Sequence, residues 1–278
     1  MWDLEISPKV KLLSLNLGEI WRYRDLVALF VQRDFKAQYK QTVLGPLWHL
    51  IQPIFTTMVF LLIFGKIASI PTGGISPILF YMSGICIWNY FDSCLQATSA
   101  TFVQNASIFG KVYFPRLVLP LSTVLSNLVK FCIQFFLLIS IALFIGFQEG
   151  HFYINFSWLL IPVLVLMMAC LGLGLGIIIS SLTTKYRDFH FLLSFGVQLL
   201  MYATPVAYPL SFVKDKPYAA WLAYNPLAPI VENFRVAFFG VGNFSGEGLL
   251  YSAVCITVIL FFGLILFNRV EKSFMDTV

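Results

Sequence analysis

The sequence has few charged residues for its length. Of 278 residues, 18 are Lys or Arg and 13 are Asp or Glu, which makes 11% charged, whereas an average soluble protein has about 25%. A water-soluble domain covers its surface largely with charge, and this chain cannot do so. The shortage excludes a soluble enzyme, and a hydrophobic share of 59% excludes a disordered chain. An integral membrane protein with several spans remains.

Motifs for metal and nucleotide chemistry are also missing. None of the five cysteines forms a C-x-x-C pair, and all lie in apolar stretches, which predicts neither a disulfide framework nor a metal site. The sequence has no H-E-x-x-H, no paired carboxylates and no G-x-x-x-x-G-K-[ST] loop. We therefore expect no catalytic residue and no cofactor in this chain. The sequence also lacks a basic domain that would bind nucleic acid.

Long uncharged stretches are present instead. Residues 41–65, 150–184, 189–213 and 248–268 contain no Asp, Glu, Lys or Arg, and a membrane helix needs about 20 apolar residues. Helices satisfy their own backbone hydrogen bonds, as lipid requires. We predict an all-α integral membrane protein, one transmembrane domain over 1–278, with six spans at about 47–67, 78–103, 117–146, 157–182, 190–209 and 249–268.

Three segments between these spans differ in character. Residues 18–40 have an amphipathic pattern, which predicts a helix lying in the membrane surface. Residues 104–115 form a short loop with three aromatic side chains, and 210–247 are too polar and too rich in proline for a normal span. The first 40 residues lack the apolar core of a signal peptide. We expect an uncleaved chain that starts in the cytoplasm.

The distribution of Lys and Arg predicts the orientation. With the N-terminus inside, the cytoplasmic segments hold 13 of these residues and the outer segments hold 4, namely Lys66, Lys214, Lys216 and Arg235. Positive residues concentrate on the cytoplasmic side of membrane proteins. Six spans with both termini in the cytoplasm follow from this count.

Two ionisable residues fall inside predicted spans. Asp92 precedes the 104–116 loop by about 12 residues and Lys130 follows it by about 14, so both lie at a similar depth at ~1.5 Å per residue. A charge at mid-membrane costs about 3 kcal/mol on insertion scales, and such residues usually pair. We predict an intramembrane ion pair between Asp92 and Lys130 that acts as a structural clamp, with a proton relay as the alternative.

Small and aromatic residues also follow helical spacing. Gly172 and Gly176 form a small-residue face suited to close helix packing, either within the subunit or between subunits. Two stripes combine aromatic and amide side chains, which suits a sugar path better than an ion path. Contact with lipid or neighbouring helices is the alternative for these aromatics. The stripes consist of Trp48, Gln52 and Phe55 in the first span and Phe191, Phe195, Gln198 and Tyr202 in the fifth.

Four segments together resemble the permease subunits of ABC transporters that export bacterial polysaccharides, namely O-antigen, capsule and teichoic acid. They occur in the family's order and cover most of the chain. The segments are R-D-F-K-A-Q-Y-K-Q-T-V-L-G-P-L-W from Arg33 to Trp48 with Gln52-Pro53, K-V-Y-F-P-R from Lys111 to Arg116, Y-R-D from Tyr186 with T-P-V at Thr204 and Y-P at Tyr208, and N-P-L from Asn225 with Pro229-Ile230.

The resemblance implies a homodimer bound to two cytoplasmic ATPase subunits, which would bind ATP and Mg²⁺. It also implies that 104–115 is a coupling helix, that 18–40 is an interface helix bearing Arg33, Asp34 and Lys36, that 210–247 holds short periplasmic re-entrant helices, and that the first and fifth spans line the polymer path. Arg33 and Lys36 could attract a lipid diphosphate, or they could be ordinary positive-inside charge. The predicted ATPase-coupling residues are Asn105, Phe109, Lys111, Tyr113, Phe114, Pro115 and Arg116.

The function expected from the resemblance is export of a lipid-diphosphate-linked polysaccharide, with O-antigen as the first expectation. The chain would lie in the bacterial inner membrane, among membrane lipids, and would have no ATPase site of its own. Two other classes stay open. One is an ABC permease for a drug or a small lipid, and the other is an ATP-independent transporter or a membrane enzyme.

Overall fold

The computed structural model describes most of the chain and is helical throughout the part it describes, which confirms the all-α prediction. No strand occurs among those residues. The structure describes residues 17–40, 42–105, 108, 114–150, 153, 155–183, 188–213, 215–217 and 219–274.

Five α-helices occur among the described residues up to Asn105. A 3₁₀ turn, Gly45–Leu47, leads into the third, and a π-helical segment, Leu61–Ile67, continues it. The helices are α1 Leu17–Arg22, α2 Arg24–Tyr39, α3 Trp48–Phe60, α4 Pro77–Ser99 and α5 Thr101–Gln104.

The described residues from 114 onward contain seven further α-helices, which are 4 to 32 residues long. A 3₁₀ turn, Phe156–Leu160, precedes the second of them. The helices are α6 Val118–Glu149, α7 Ile161–Thr183, α8 Phe189–Tyr202, α9 Leu210–Val213, α10 Ala219–Ala223, α11 Leu227–Phe239 and α12 Gly246–Phe274.

Four helical runs of the described residues are long and apolar enough to cross a membrane: Gly45–Ile67, Val118–Glu149, Phe156–Thr183 and Gly246–Arg269. They coincide with four of the six predicted spans. The other two predicted spans correspond to α4, which is long but more polar, and to α8, which is apolar but has only 14 residues. The six-span count and the re-entrant helices therefore stay predictions.

Helix α4 lies at the centre of the protein, which explains its weaker hydropathy. It packs against α3, α6, α7, α8 and α11, and most of its side chains are buried, among them Leu79, Ile85, Phe91 and Cys94. Its polar side chains have hydrogen-bond partners, as a buried helix requires. Ser83 and Gln96 donate to groups of α4 itself, the Phe80 carbonyl and the Asp92 carboxylate, whereas Asn89 donates to the Gln134 amide oxygen on α6 at 3.4 Å. The mean hydropathy of α4 is therefore a poor guide to whether this helix lies in the membrane.

Glycines on α7 allow that helix to approach α4 closely. A Cβ added at Gly176 would lie 2.5 Å from the Cβ of Thr98, and one at Gly172 would lie 2.9 Å from the Cβ of Cys94. The Gly172 and Gly176 face is therefore used for packing within the subunit, one of the two roles that the spacing allowed.

Two helix ends differ from the predictions. Helix α6 was expected to end near Gly146 but continues to Glu149, because Gly150 has a left-handed φ of 67° and stops the helix there. The fifth span was expected to reach 209, but α8 ends at Tyr202. Pro205 and Pro209 lack the amide hydrogens that a continued helix would need.

The glycine contact gives a stability prediction. Gly176→Ala places a methyl group against Thr98 and should destabilise the protein by about 1–3 kcal/mol, the usual range for overpacking. Gly196→Ala on α8 is the matched control, because no atom lies within 4 Å of its added Cβ and alanine favours the helix. The midpoint of thermal unfolding in detergent measures both. Equal midpoints for the two variants would contradict a tight α4–α7 contact.

Candidate functional site

The turn after α8 is a buried, non-helical segment of the chain. Helix α8 has 14 residues, about 21 Å at ~1.5 Å per residue, and the hydrocarbon core is about 30 Å thick. The chain then leaves the helical conformation, and Thr204, Pro205, Val206 and Ala207 are all buried. Buried carbonyl groups released from a helix need other donors.

Side chains supply those donors at the start of the turn. The Asn225 amide nitrogen lies 2.9 Å from the carbonyl oxygen of Ala203 and 2.9 Å from the Thr204 hydroxyl oxygen, and it donates to both. The Asn225 amide oxygen accepts the backbone N–H of Leu227, the first residue of α11, at 3.0 Å, so the same side chain contacts both the turn and α11. The Tyr208 hydroxyl donates to the carbonyl of Tyr202 at 2.9 Å.

Arg235 on α11 donates hydrogen bonds to two further carbonyl groups of the turn. Its Nη1 donates to the carbonyl oxygen of Pro205 at 2.7 Å, and its Nη2 donates to the carbonyl of Val206. The guanidinium carbon lies 3.8 Å from the centre of the Phe80 ring, a cation–π contact. Glu232 lies 3.6 Å from Nη1 and supplies the opposite charge. We call Asn225 and Arg235 the carbonyl clamp.

Arg235 is buried, with a side chain that is only 2% exposed. The Lys and Arg count assigned this residue to an outer segment, which is a statement about topology and not about burial. Burial lowers its pKa to about 10, against the opposing effect of Glu232, so the guanidinium stays charged at neutral pH. A Cβ added at Gly84 would lie 2.5 Å from Nη2, so α4 needs glycine at this point. The sequence did contain a signal for this burial, because Arg235 is the one cation of a largely apolar helix and Glu232 lies three residues before it.

The predicted path residues lie on exposed faces of α3 and α8. Trp48, Gln52 and Phe55 are exposed on α3, and all four stripe residues of α8 are exposed, with Phe191 at 78%. The opposite face of α8 packs into the core through Leu193 and Val197. Both stripes are exposed in the subunit, as a path would need. Their role stays a prediction, because lipid or a second subunit would also occupy such faces.

The predicted coupling segment is described only in part. Phe109, Lys111 and Tyr113 lie outside the described residues. Asn105 donates its side-chain amide to the carbonyl of Thr101 at 3.0 Å and is half-buried, as is Pro115. Phe114 is only 5% exposed, and its role in ATPase coupling stays a prediction. Arg116 is also buried, at 7%.

Phe114 is buried because it packs under the N-terminal helix. Its ring centre lies 5.8 Å from that of Phe30, the buried residue of α2. Both rings belong to an apolar cluster with Phe102 of α5 and Phe267 of α12. This cluster joins α2 directly to the segment that enters α6.

The polar residues of α2 have different surroundings. Arg33 donates from Nε and Nη2 to one carboxylate oxygen of Asp34, at 2.9 and 2.7 Å, and its guanidinium carbon lies 4.7 Å from the centre of the Phe30 ring. Lys36 is exposed. Arg33 and Asp34 therefore compensate each other's charge, while Lys36 faces outward.

The predicted Asp92–Lys130 ion pair is not formed. Asp92 accepts a hydrogen bond from Gln96 on its own helix, and Lys130 donates to the Asn127 amide oxygen at 2.9 Å. The depth estimate ignored direction around the helix. Successive residues of a helix point about 100° apart, so equal depth does not by itself bring two side chains together. Beside Asp92, it is the backbone carbonyl of Ser93 that accepts a hydrogen bond from α6, from the Asn127 amide at 3.1 Å.

The fold and its buried polar contacts define a helical membrane protein whose interior is organised by side chains that hold helix ends. Comparison with known families agrees. Residues 25–239 match the family model described as "ABC-2 type transporter". The chain belongs to this family.

Similar proteins share almost the full length of the chain. It is 29% identical to the O-antigen export system permease protein RfbA of Klebsiella pneumoniae, over 95% of this chain and 98% of that protein. It is 24% identical to the polysialic acid transport protein KpsM of Escherichia coli, over 90% and 95%. It is 23% identical to the capsule polysaccharide export inner-membrane protein CtrC of Neisseria meningitidis serogroup B, over 90% and 92%.

Removal of the clamp arginine should destabilise the protein. Arg235→Met leaves two buried carbonyls and Glu232 without their cationic partner, and loss of one member of a buried pair costs about 3–5 kcal/mol. Arg235→Lys keeps the charge but not the two-pronged geometry, so its loss should be intermediate. The midpoint of thermal unfolding in detergent measures this.

The matched control is Lys216→Met, an exposed cation in the same 210–247 segment, which should leave the midpoint unchanged. An Arg235→Met midpoint equal to that of the control would show that the turn after α8 does not depend on the clamp.

Proposed function

We propose that this chain is the membrane-spanning subunit of an ATP-driven exporter of a lipid-linked polysaccharide, with O-antigen as the first candidate. The observation that carries the proposal is similarity over nearly the whole chain to proteins named for O-antigen, polysialic acid and capsule export. Export of each of these three substrates requires the same step, which is movement of a long glycan through a membrane. The match to O-antigen permeases has the highest identity of the three.

The proposed assembly is a homodimer with two ATPase subunits in the inner membrane. The sequence has no phosphate-binding loop, and ABC-2 transporter membership supports ATP and Mg²⁺ binding by a separate subunit. Six spans with both termini in the cytoplasm follow from the Lys and Arg distribution. The exposed apolar faces of α3 and α8 are available to a second copy of the chain.

In the proposed mechanism, ATP binding brings the two ATPase subunits together, and the 104–115 segment transmits that motion. The Phe30–Phe114 contact supports this role because it joins α2 to the same segment. The glycan then moves along the exposed stripes of α3 and α8, where sugar rings stack on aromatic faces. Stacking tolerates different sugars, so the chain need not select one sugar sequence.

Deletion of the chromosomal gene tests the proposal. We expect surface polysaccharide to be lost and lipid-linked polymer to accumulate in the cytoplasm. The wild-type chain should restore export, and the double variant Phe109→Asp with Tyr113→Asp should not, because carboxylates would disrupt a docking surface. Unchanged surface glycan without intracellular polymer would contradict polysaccharide export and would favour the drug or small-lipid permease.

The path residues give a sharper prediction. Phe195→Ala together with Phe191→Ala should reduce polysaccharide export by at least about thirtyfold. Base–aromatic stacking of similar kind contributes about 1–3 kcal/mol per ring, so two rings contribute at least about 2 kcal/mol, and a factor of ten equals about 1.4 kcal/mol. Thermal stability should change little, because both rings are exposed on α8. Export is measured as surface polysaccharide per cell at equal membrane levels of the protein.

The matched control is Phe144→Ala on α6, which removes a ring of similar exposure from another helix. Equal export by the control and by the α8 double variant would argue that the α8 stripe contacts lipid only.

A further inference from the structure

A polar cavity lies beneath the N-terminal amphipathic helix. Its volume is about 390 Å³, and residues of α2, α4, α5 and α6 line it. It contains the Lys130 side chain from α6, the Arg33 and Asp34 pair from α2, and the amides of Gln38 and Gln104. The apolar helices around it make this concentration of polar groups costly unless they serve a purpose.

Lys130 carries the uncompensated charge of this cavity. Arg33 and Asp34 neutralise each other, and no carboxylate among the described residues lies within ion-pair distance of Lys130. The Lys130 ammonium group has three N–H donors, and one of them goes to Asn127. Asn127 is itself oriented by the carbonyl of Ser93. The ammonium group is therefore held in place, and two of its three N–H groups remain available to a ligand.

Neutral donors lie in the same cavity. The side-chain amides of Gln38 and Gln104 are exposed and line the cavity. Asp34 is the one carboxylate among the lining residues, and its Oδ1 already accepts two hydrogen bonds from Arg33. One net positive charge with several amide donors is a suitable environment for a single anionic group.

The position of the cavity indicates the source of the anion. Amphipathic helices lie about 5–10 Å into the boundary between headgroups and acyl chains, and α2 covers this cavity against α6. Basic pockets between membrane helices on the cytoplasmic side bind lipid headgroups. The volume is more than ten times the roughly 30 Å³ that one water occupies in the liquid, which leaves room for a phosphate and its ester linkage.

We propose that this cavity binds the phosphate group of a membrane lipid, with Lys130 as the charged contact. Lysine binds phosphate as a point charge, and Gln38 and Gln104 donate to the remaining phosphate oxygens. Two sources share this chemistry. One is a bulk phospholipid, and the other is the polyprenyl diphosphate that would carry the polysaccharide. The second source rests on the proposed function, whereas the first does not.

Native mass spectrometry of the purified full chain tests the proposal without an ATPase or export. The probes are undecaprenyl diphosphate, phosphatidylglycerol and, as a lipid without phosphate, diacylglycerol. We expect Lys130→Gln to weaken binding of a phosphate lipid about tenfold, and Lys130→Arg to bind as the wild type does. Lys66→Gln is the matched control, because Lys66 is an exposed lysine outside the cavity.

A second variant tests the site while keeping the lysine. Ser126 lines the cavity one helical turn before Lys130. A carboxylate introduced there by Ser126→Asp can therefore pair with the ammonium group. It should weaken phosphate-lipid binding as much as Lys130→Gln does. This variant keeps the proposal open to refutation even if Lys130→Gln does not fold.

Each outcome bears on the proposal. Loss of undecaprenyl diphosphate alone supports the site and identifies the carrier lipid, and loss of both phosphate lipids supports it with bulk phospholipid as ligand. Binding unchanged by Lys130→Gln and by Ser126→Asp overturns it, as does an equal loss of diacylglycerol. Failure of the proposed function would appear separately, as unchanged surface glycan in the deletion strain.

Discussion

The requirement that every buried backbone polar group find a partner governs the architecture of this protein. Helix α8 is too short to cross a bilayer, and its last turn releases carbonyl groups inside the protein rather than in water. The carbonyl clamp supplies the missing donors from α11. Because Arg235 also contacts the ring of Phe80 on α4, one side chain ties α4, α8 and α11 together. The exposed stripe therefore lies on a helix, α8, whose C-terminal end is held in place by the clamp.

A similar division of labour operates at the opposite end of the helices. The Phe30–Phe114 contact joins α2 to the segment entering α6, and the polar cavity lies beside that contact. Apolar packing thus fixes the helix positions, while the polar groups next to it remain available for binding. This arrangement separates residues that hold the structure from residues that have donors to spare, such as Lys130.

The comparison between sequence and structure depends on geometry around each helix. Composition and charge spacing predicted an all-helical membrane protein and located α3, α6, α7 and α12 well. The Asp92–Lys130 pair was wrong because residue spacing gives depth along a helix, whereas pairing also requires both side chains to point at each other. The burial of Phe114 was missed for a related reason, because an aromatic residue in a loop can be covered by a distant helix, here α2.

The sequence by itself determined that the chain lies in a membrane, that it carries no nucleotide-binding loop of its own, and where four apolar helices run. These properties depend on composition and local pattern, which need no knowledge of neighbours. Only the tertiary structure decided that Arg235 is buried, that α4 is the central helix, and that Lys130 lies in a cavity with Asn127 as its partner. The burial of Arg235, the central position of α4 and the cavity around Lys130 depend on contacts between residues far apart in the chain, whereas the Asn127–Lys130 hydrogen bond is local.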